Sequence, residues 1–174
     1  SGTRTLTAQL DNQGTLNVAH VLVIAIAGAA HVNSGTITIP GSASVTFTQT
    51  GTSPSFTNTG TIDLLGGTLN SNAGLLDLMS GQVTGSSGTI TTVGAATVRT
   101  TGTAALDARL VLSATTVMPE PFVIEAGDSL RVRGGNFAPP SLTNNGALIL
   151  ESTVVVNSAV TTGPGSSIRV RGSS

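Results

Sequence analysis

The chain has 174 residues, 9% of them charged and 2% aromatic, with a formal charge of −1. It holds no Lys, Cys, Trp or Tyr. A disulfide framework and thiolate metal sites are therefore excluded, and balanced charge with only four Phe argues against nucleic-acid binding, which needs a basic patch and, for single strands, stacking aromatics.

Abundant Val, Ile and Thr favour strands, and near-neutral charge separates the chain from disordered sequences. Residues 3–10 read as a first strand. Asn12-Gln13-Gly14-Thr15-Leu16-Asn17-Val18 follows, an Asn-x-Gly turn leading into an alternating strand. Residues 21–30 (VLVIAIAGAA) fall short of the roughly 18–20 apolar residues a bilayer span needs, so no membrane insertion is expected. The run is apolar at both alternating phases, which predicts cover on both faces, from a loop or another subunit. His20 and His31 bracket it without any ligand spacing and read as turn or surface residues, not a metal pair. Thr46, Thr48 and Thr50 read as outward strand positions, without the sustained array of an ice-binding face.

The Asn-x-Gly motif recurs at Asn33/Gly35 and Asn58/Gly60, and further copies begin at Asn72 (Gly74) and Asn144 (Gly146). The corner is chemically reasonable because Gly adopts positive φ freely and Asn tolerates the left-handed region. Stacked corner Asn side chains are expected to hydrogen-bond from coil to coil. With looser copies included, the anchor glycines fall at 14, 35, 60, 74, 88, 102, 127, 146 and 165. Gly60, Gly67, Gly74, Gly81 and Gly88 are seven apart, the length of one short strand and one turn. The expectation is an all-β, single-stranded parallel β-helix (β-solenoid) of about 19–25 residues per coil, three short strands per coil, forming one domain over residues 1–174. Eight or nine coils at about 4.8 Å each would make a rod near 40 Å long.

Asp63 and Asp77 each lie three residues after an anchor glycine and could share one face as a carboxylate pair. Without Lys, Tyr or Trp to hold a sugar beside them, they read as solvated strand positions. Residues 51–55, 118–121 and 134–140 carry Pro and Gly and read as longer turns. Residues 127–134 (GDSLRVRG) return as 165–172 (GSSIRVRG), two coils later, and this spacing puts Glu151 between Arg133 and Arg171 in an inter-coil charge stack.

These Asn-x-Gly-Thr-Ile-x-Leu units resemble the β-helical repeats of bacterial surface proteins, such as autotransporter passengers and filamentous-haemagglutinin-like adhesins. The resemblance implies export, an extracellular or cell-surface location and a scaffolding or adhesive role. The chain opens at Ser1 without a leader, so any export signal is expected to have been removed or to lie outside it. No catalytic constellation and no cofactor site is legible. The expected function is a non-enzymatic structural module that associates head-to-tail or continues a longer solenoid, because no polar cap closes either end. The alternative is a module whose turn loops bind a glycan or a host or cell-surface protein.

Overall fold

A computed structural model of the chain describes residues 2–78, 81–85, 87–100 and 105–172. Among them the protein is all-β, and every strand pairing is parallel. The spine is a nine-stranded sheet of β1 (Arg4–Leu6), β4 (Val21–Ala25), β7 (Ser44–Thr48), β10 (Thr68–Ser71), β13 (Thr89–Thr92), β16 (Arg109–Val111), β18 (Ser129–Arg133), β21 (Ala147–Glu151) and β24 (Ser167–Arg171). Each pair of neighbours is one turn of a β-solenoid, so nine strands mark eight turns. Their register gives 18, 23, 24, 21, 20, 22, 18 and 20 residues per turn.

Over the first five turns two further sheets close a three-sided coil. One comprises β2 (Asp11–Asn12), β5 (Ala30–Asn33), β8 (Ser55–Asn58), β11 (Gly74–Asp77) and β14 (Ala96–Arg99). The other comprises β3 (Thr15–Asn17), β6 (Thr36–Thr38), β9 (Thr61–Asp63), β12 (Gln82–Thr84) and β15 (Ala105–Leu106). Beyond residue 111 the other two sides shorten to β17 (Phe122–Ile124), β20 (Ser141–Asn144) and β23 (Ala159–Thr162) on one side, and β19 (Asn136–Phe137) with β22 (Val155–Val156) on the other. The seven-residue glycine step is therefore one side of the coil, because residues 60, 67, 74, 81 and 88 open successive strands β9 to β13.

Alternation builds the core. In the long sheet Leu22, Val45, Leu69, Ile90, Leu110, Val132 and Leu150 occupy one inward column, and its central members are wholly inaccessible. Two ring pairs lie in the core: Phe47 stacks on Phe56 with centroids 4.2 Å apart, and Phe122 meets Phe137 edge-on at 5.4 Å. The column's two end members differ from the rest. Arg4 holds the position in the first turn and Val170 in the last. Val170 is 79% exposed, and the inward Ile168 and Val160 beside it are 46% and 40% exposed.

Several sequence expectations change in the folded chain. Within the chain no loop covers the outer face of residues 21–30: Ile24 is buried in the core, but the outward Val21 is exposed. Residues 134–140 are not a bulging loop, because β19 runs through them and Phe137 is fully buried. Residues 118–121 do form a turn between strands, with Pro119 and Pro121 exposed and Met118 anchored in the core. Residues 51–55 do form an exposed turn, with Gly51 and Ser53 at positive φ.

Candidate functional site

The Asn corners do not all lie at one edge. Asn12/Gly14, Asn33/Gly35 and Asn58/Gly60 join the two five-stranded sheets. Asn72/Gly74 instead joins the long sheet to the second sheet, and Asn144/Gly146 joins β20 back to the long sheet. One sequence motif thus serves all three kinds of corner. The expected amide ladder exists at the first edge. Asn12 Nδ2 donates to Asn33 Oδ1 and Asn33 Nδ2 to Asn58 Oδ1, each at 2.6 Å. The same Asn33 nitrogen also reaches the carbonyls of Gly35 and Thr61. Asn58 ends the run on the carbonyls of Gly60 and Gln82. Asn33 and Asn58 are completely buried, where an unpaired amide would be costly.

Asn144 is equally buried, but its register neighbours are Ile124 and Thr162. It donates to the Ser167 carbonyl at 3.0 Å, and its Oδ1 has no hydrogen-bond partner. Asn72 is half-buried and uses its backbone N–H on the Phe47 carbonyl.

Two of the three glycines of the ladder edge are selected by space more than by φ; a Cβ on Gly14 would meet nothing within 4 Å. Gly35 and Gly60 lie outside the left-handed region, yet a Cβ on Gly35 would strike the carbonyl oxygen of Gly14, and one on Gly60 that of Gly35. Gly74 differs in needing φ of 69°. The anchor assigned to Gly102 lies outside the described residues.

The two carboxylates read as a possible pair do not converge. Asp63 ends β9 and accepts from Thr84 Oγ1 at 3.2 Å, whereas Asp77 ends β11 in a different sheet and pairs with Arg99 at 3.5 Å. His31 is a core residue and not the turn or surface residue expected. It is 2% exposed, tilts against Phe47 at 5.2 Å and accepts the Leu10 N–H on Nδ1 at 3.1 Å. Burial lowers its pKa from the usual 6.5. His20 is exposed beside a shallow cavity of about 140 Å³ that Arg4 also lines. Among the described residues no three His, Asp or Glu side chains gather as metal ligands.

The outward face of the long sheet holds the residues that composition concealed. Through β4, β7, β10 and β13 its two outward columns carry Val21, Ser44, Thr68 and Thr89 beside Val23, Thr46, Asn70 and Thr91. From β16 onward they carry Arg109, Arg131, Ile149 and Arg169 beside Val111, Arg133, Glu151 and Arg171. Five of the seven arginines thus share the outward face of the last four strands of the long sheet with a single carboxylate. Arg133, Glu151 and Arg171 are register partners, as the spacing predicted. The ion pair that Glu151 makes, however, is with Arg109, whose Nε lies 3.1 Å from Oε2 without the alignment of a hydrogen bond. Ile149 is 5% exposed although it points outward between Arg131 and Arg169, which is the cover that arginine stems give when only their heads reach water. The repeat of Arg-x-Arg at 131/133 and 169/171 was legible; the residue missed was Arg109, which the register places one turn before Arg131.

Comparison of the chain with protein-family models, curated proteins and solved structures found no match. The likeness to bacterial surface repeats therefore rests on repeat style alone.

Proposed function

We propose that this chain is a non-enzymatic structural module of an extracellular filament or cell-surface adhesin, extended by stacking another solenoid turn on its C-terminal face. The observation that carries the reading is the core column of the long sheet, sealed through its middle and open at Val170 in the last turn. An apolar column beside an unpaired strand edge is a template for a further parallel strand, which solenoids ordinarily block with a polar cap. The occupant is the next turn of a longer solenoid or a second copy, whose first turn offers the half-exposed Leu6, Leu10 and Leu16. The extracellular placement rests on the repeat style.

The two ends are not equally adhesive. Arg4 stands in the core column of the first turn, with its Nη1 donating to the Gly2 carbonyl at 2.9 Å. An inward charge at an edge opposes strand addition, so the N-terminal face controls how tightly copies join. Sedimentation velocity and negative-stain electron microscopy across a concentration series test this. Wild type should form rods that lengthen by about 40 Å per copy, Val170→Arg should leave single rods, and Arg4→Leu should lengthen the rods at a given concentration. Single rods for wild type and Arg4→Leu at every concentration would overturn head-to-tail stacking.

A further inference from the structure

We propose that the arginine face of β16, β18, β21 and β24 is a binding surface for a linear polysaccharide bearing carboxylate groups, a uronate polymer. The inference concerns a side of the rod and does not depend on what covers its ends.

The first argument is cost. Arg109 and Arg131 are direct register partners, and like charges directly opposite on neighbouring strands destabilise a sheet. The same columns three turns earlier carry Ser44, Thr68, Thr46 and Asn70, so the fold does not require charge there. Glu151 compensates Arg109 alone, and among the described residues Arg131 has no ion pair; a residue that breaks a local rule without a compensating contact marks function more often than structure.

The second is geometry. Successive turns are spaced by about 4.8 Å and alternate residues along a strand by about 7 Å. Arg131 and Arg133 on β18 are therefore repeated as Arg169 and Arg171 on β24 about 10 Å farther along the rod. Such a lattice suits a ligand whose charges also repeat along a line.

The third is that the face already holds a carboxylate. Glu151 lies in register between Arg133 and Arg171 and pairs with Arg109. It occupies the place a ligand carboxylate would take, and a guanidinium fork pairs with carboxylates in two parallel bonds. Nucleic acid fits less well, because all four Phe are buried and none is left for stacking bases. A lipid surface fits less well too, since the face's largest apolar side chain, Ile149, is covered.

Binding of polygalacturonate, compared with neutral dextran of equal size, tests the proposal by titration at several salt concentrations. Wild type should bind polygalacturonate and not dextran, more weakly as salt rises. Arg131→Gln with Arg133→Gln should weaken binding about ten- to a hundredfold. The corresponding Lys pair should recover part of that loss, and Glu151→Gln should strengthen binding. Unchanged circular dichroism and melting confirm that the variants fold. Absence of binding at low salt, or binding indifferent to the arginine replacements, would overturn the proposal. So would tighter binding to dextran sulfate, duplex DNA or phosphatidylserine vesicles than to polygalacturonate, which would reassign the face.

Discussion

The first four turns and the last three solve the same folding problem with different chemistry. In the first, a buried Asn at one edge repeats in register, so each amide satisfies the next and the outer face of the long sheet can stay neutral. In the last, the buried Asn144 has Ile124 and Thr162 for neighbours, its oxygen is unpaired, and the outer face carries charge. Repeating one residue type at one edge lets each buried amide serve as the partner of the next. The C-terminal turns do not repeat an Asn in register, and it is there that the outward face carries charge.

The largest expected effect separates these two uses of asparagine. Asn33→Ala removes a donor to three acceptors and an acceptor for Asn12, leaving buried polar atoms stranded. It should cost about 2–4 kcal/mol in denaturant unfolding. Asn33→Asp should be no milder, since a carboxylate cannot donate to Asn58. Asn144→Ala removes one such bond together with an oxygen already unpaired, and should cost about 1 kcal/mol. Equal losses at the two sites would mean that the ladder adds nothing beyond its separate bonds.

This contrast also marks what the sequence could disclose. Strand alternation and glycine spacing are local, so the solenoid, its three sides and its turn length were legible from 174 residues. Which corner an Asn-x-Gly occupies is not local, because the same tight turn serves any of the three, and only cross-turn pairing separates Asn58 from Asn72 and Asn144. His31 was readable in retrospect: it precedes Asn33 by two residues as Phe56 precedes Asn58, and both pairs face inward. Of the arginine face only the Arg133, Glu151 and Arg171 stack was legible, because net charge averages over the molecule, whereas register collects five arginines on one side and leaves most acids elsewhere.

A smaller effect tests how far the N-terminal core depends on pH. The Nδ1 of His31 accepts a hydrogen bond and its ring lies against Phe47, so protonation would destroy the bond and bury a charge. With the folded pKa below 6.5, the unfolded chain takes up the proton first. The contribution is fully present above pH 6.5 and is lost as pH falls toward the folded value. Asp128 acts in the opposite sense, raised from 3.8 by burial and by the nearby Asp107 and Glu125; its ionisation costs stability as pH rises through its folded pKa. The thermal midpoint should therefore drop between pH 7.5 and 5.5, and His31→Gln, which keeps a neutral acceptor, should flatten that drop. An unchanged slope in the variant would place the titrating group elsewhere.

The smallest effect decides what the arginine face is for. Arg131→Thr gives the C-terminal part of the long sheet the residue type of its N-terminal part, Thr68 and Thr89 in the same column. If Arg109 and Arg131 repel across one turn, the exchange should raise stability by about 0.5 kcal/mol at low salt, and the gain should vanish near 1 M salt, where the screening length falls to about 3 Å. A loss of stability that salt does not alter would instead assign Arg131 a packing role, its stem shielding Ile149 from water. A salt-sensitive gain accompanied by weaker polygalacturonate binding would show the charges held against the interest of the fold, as at a binding surface and not in a scaffold that is merely soluble.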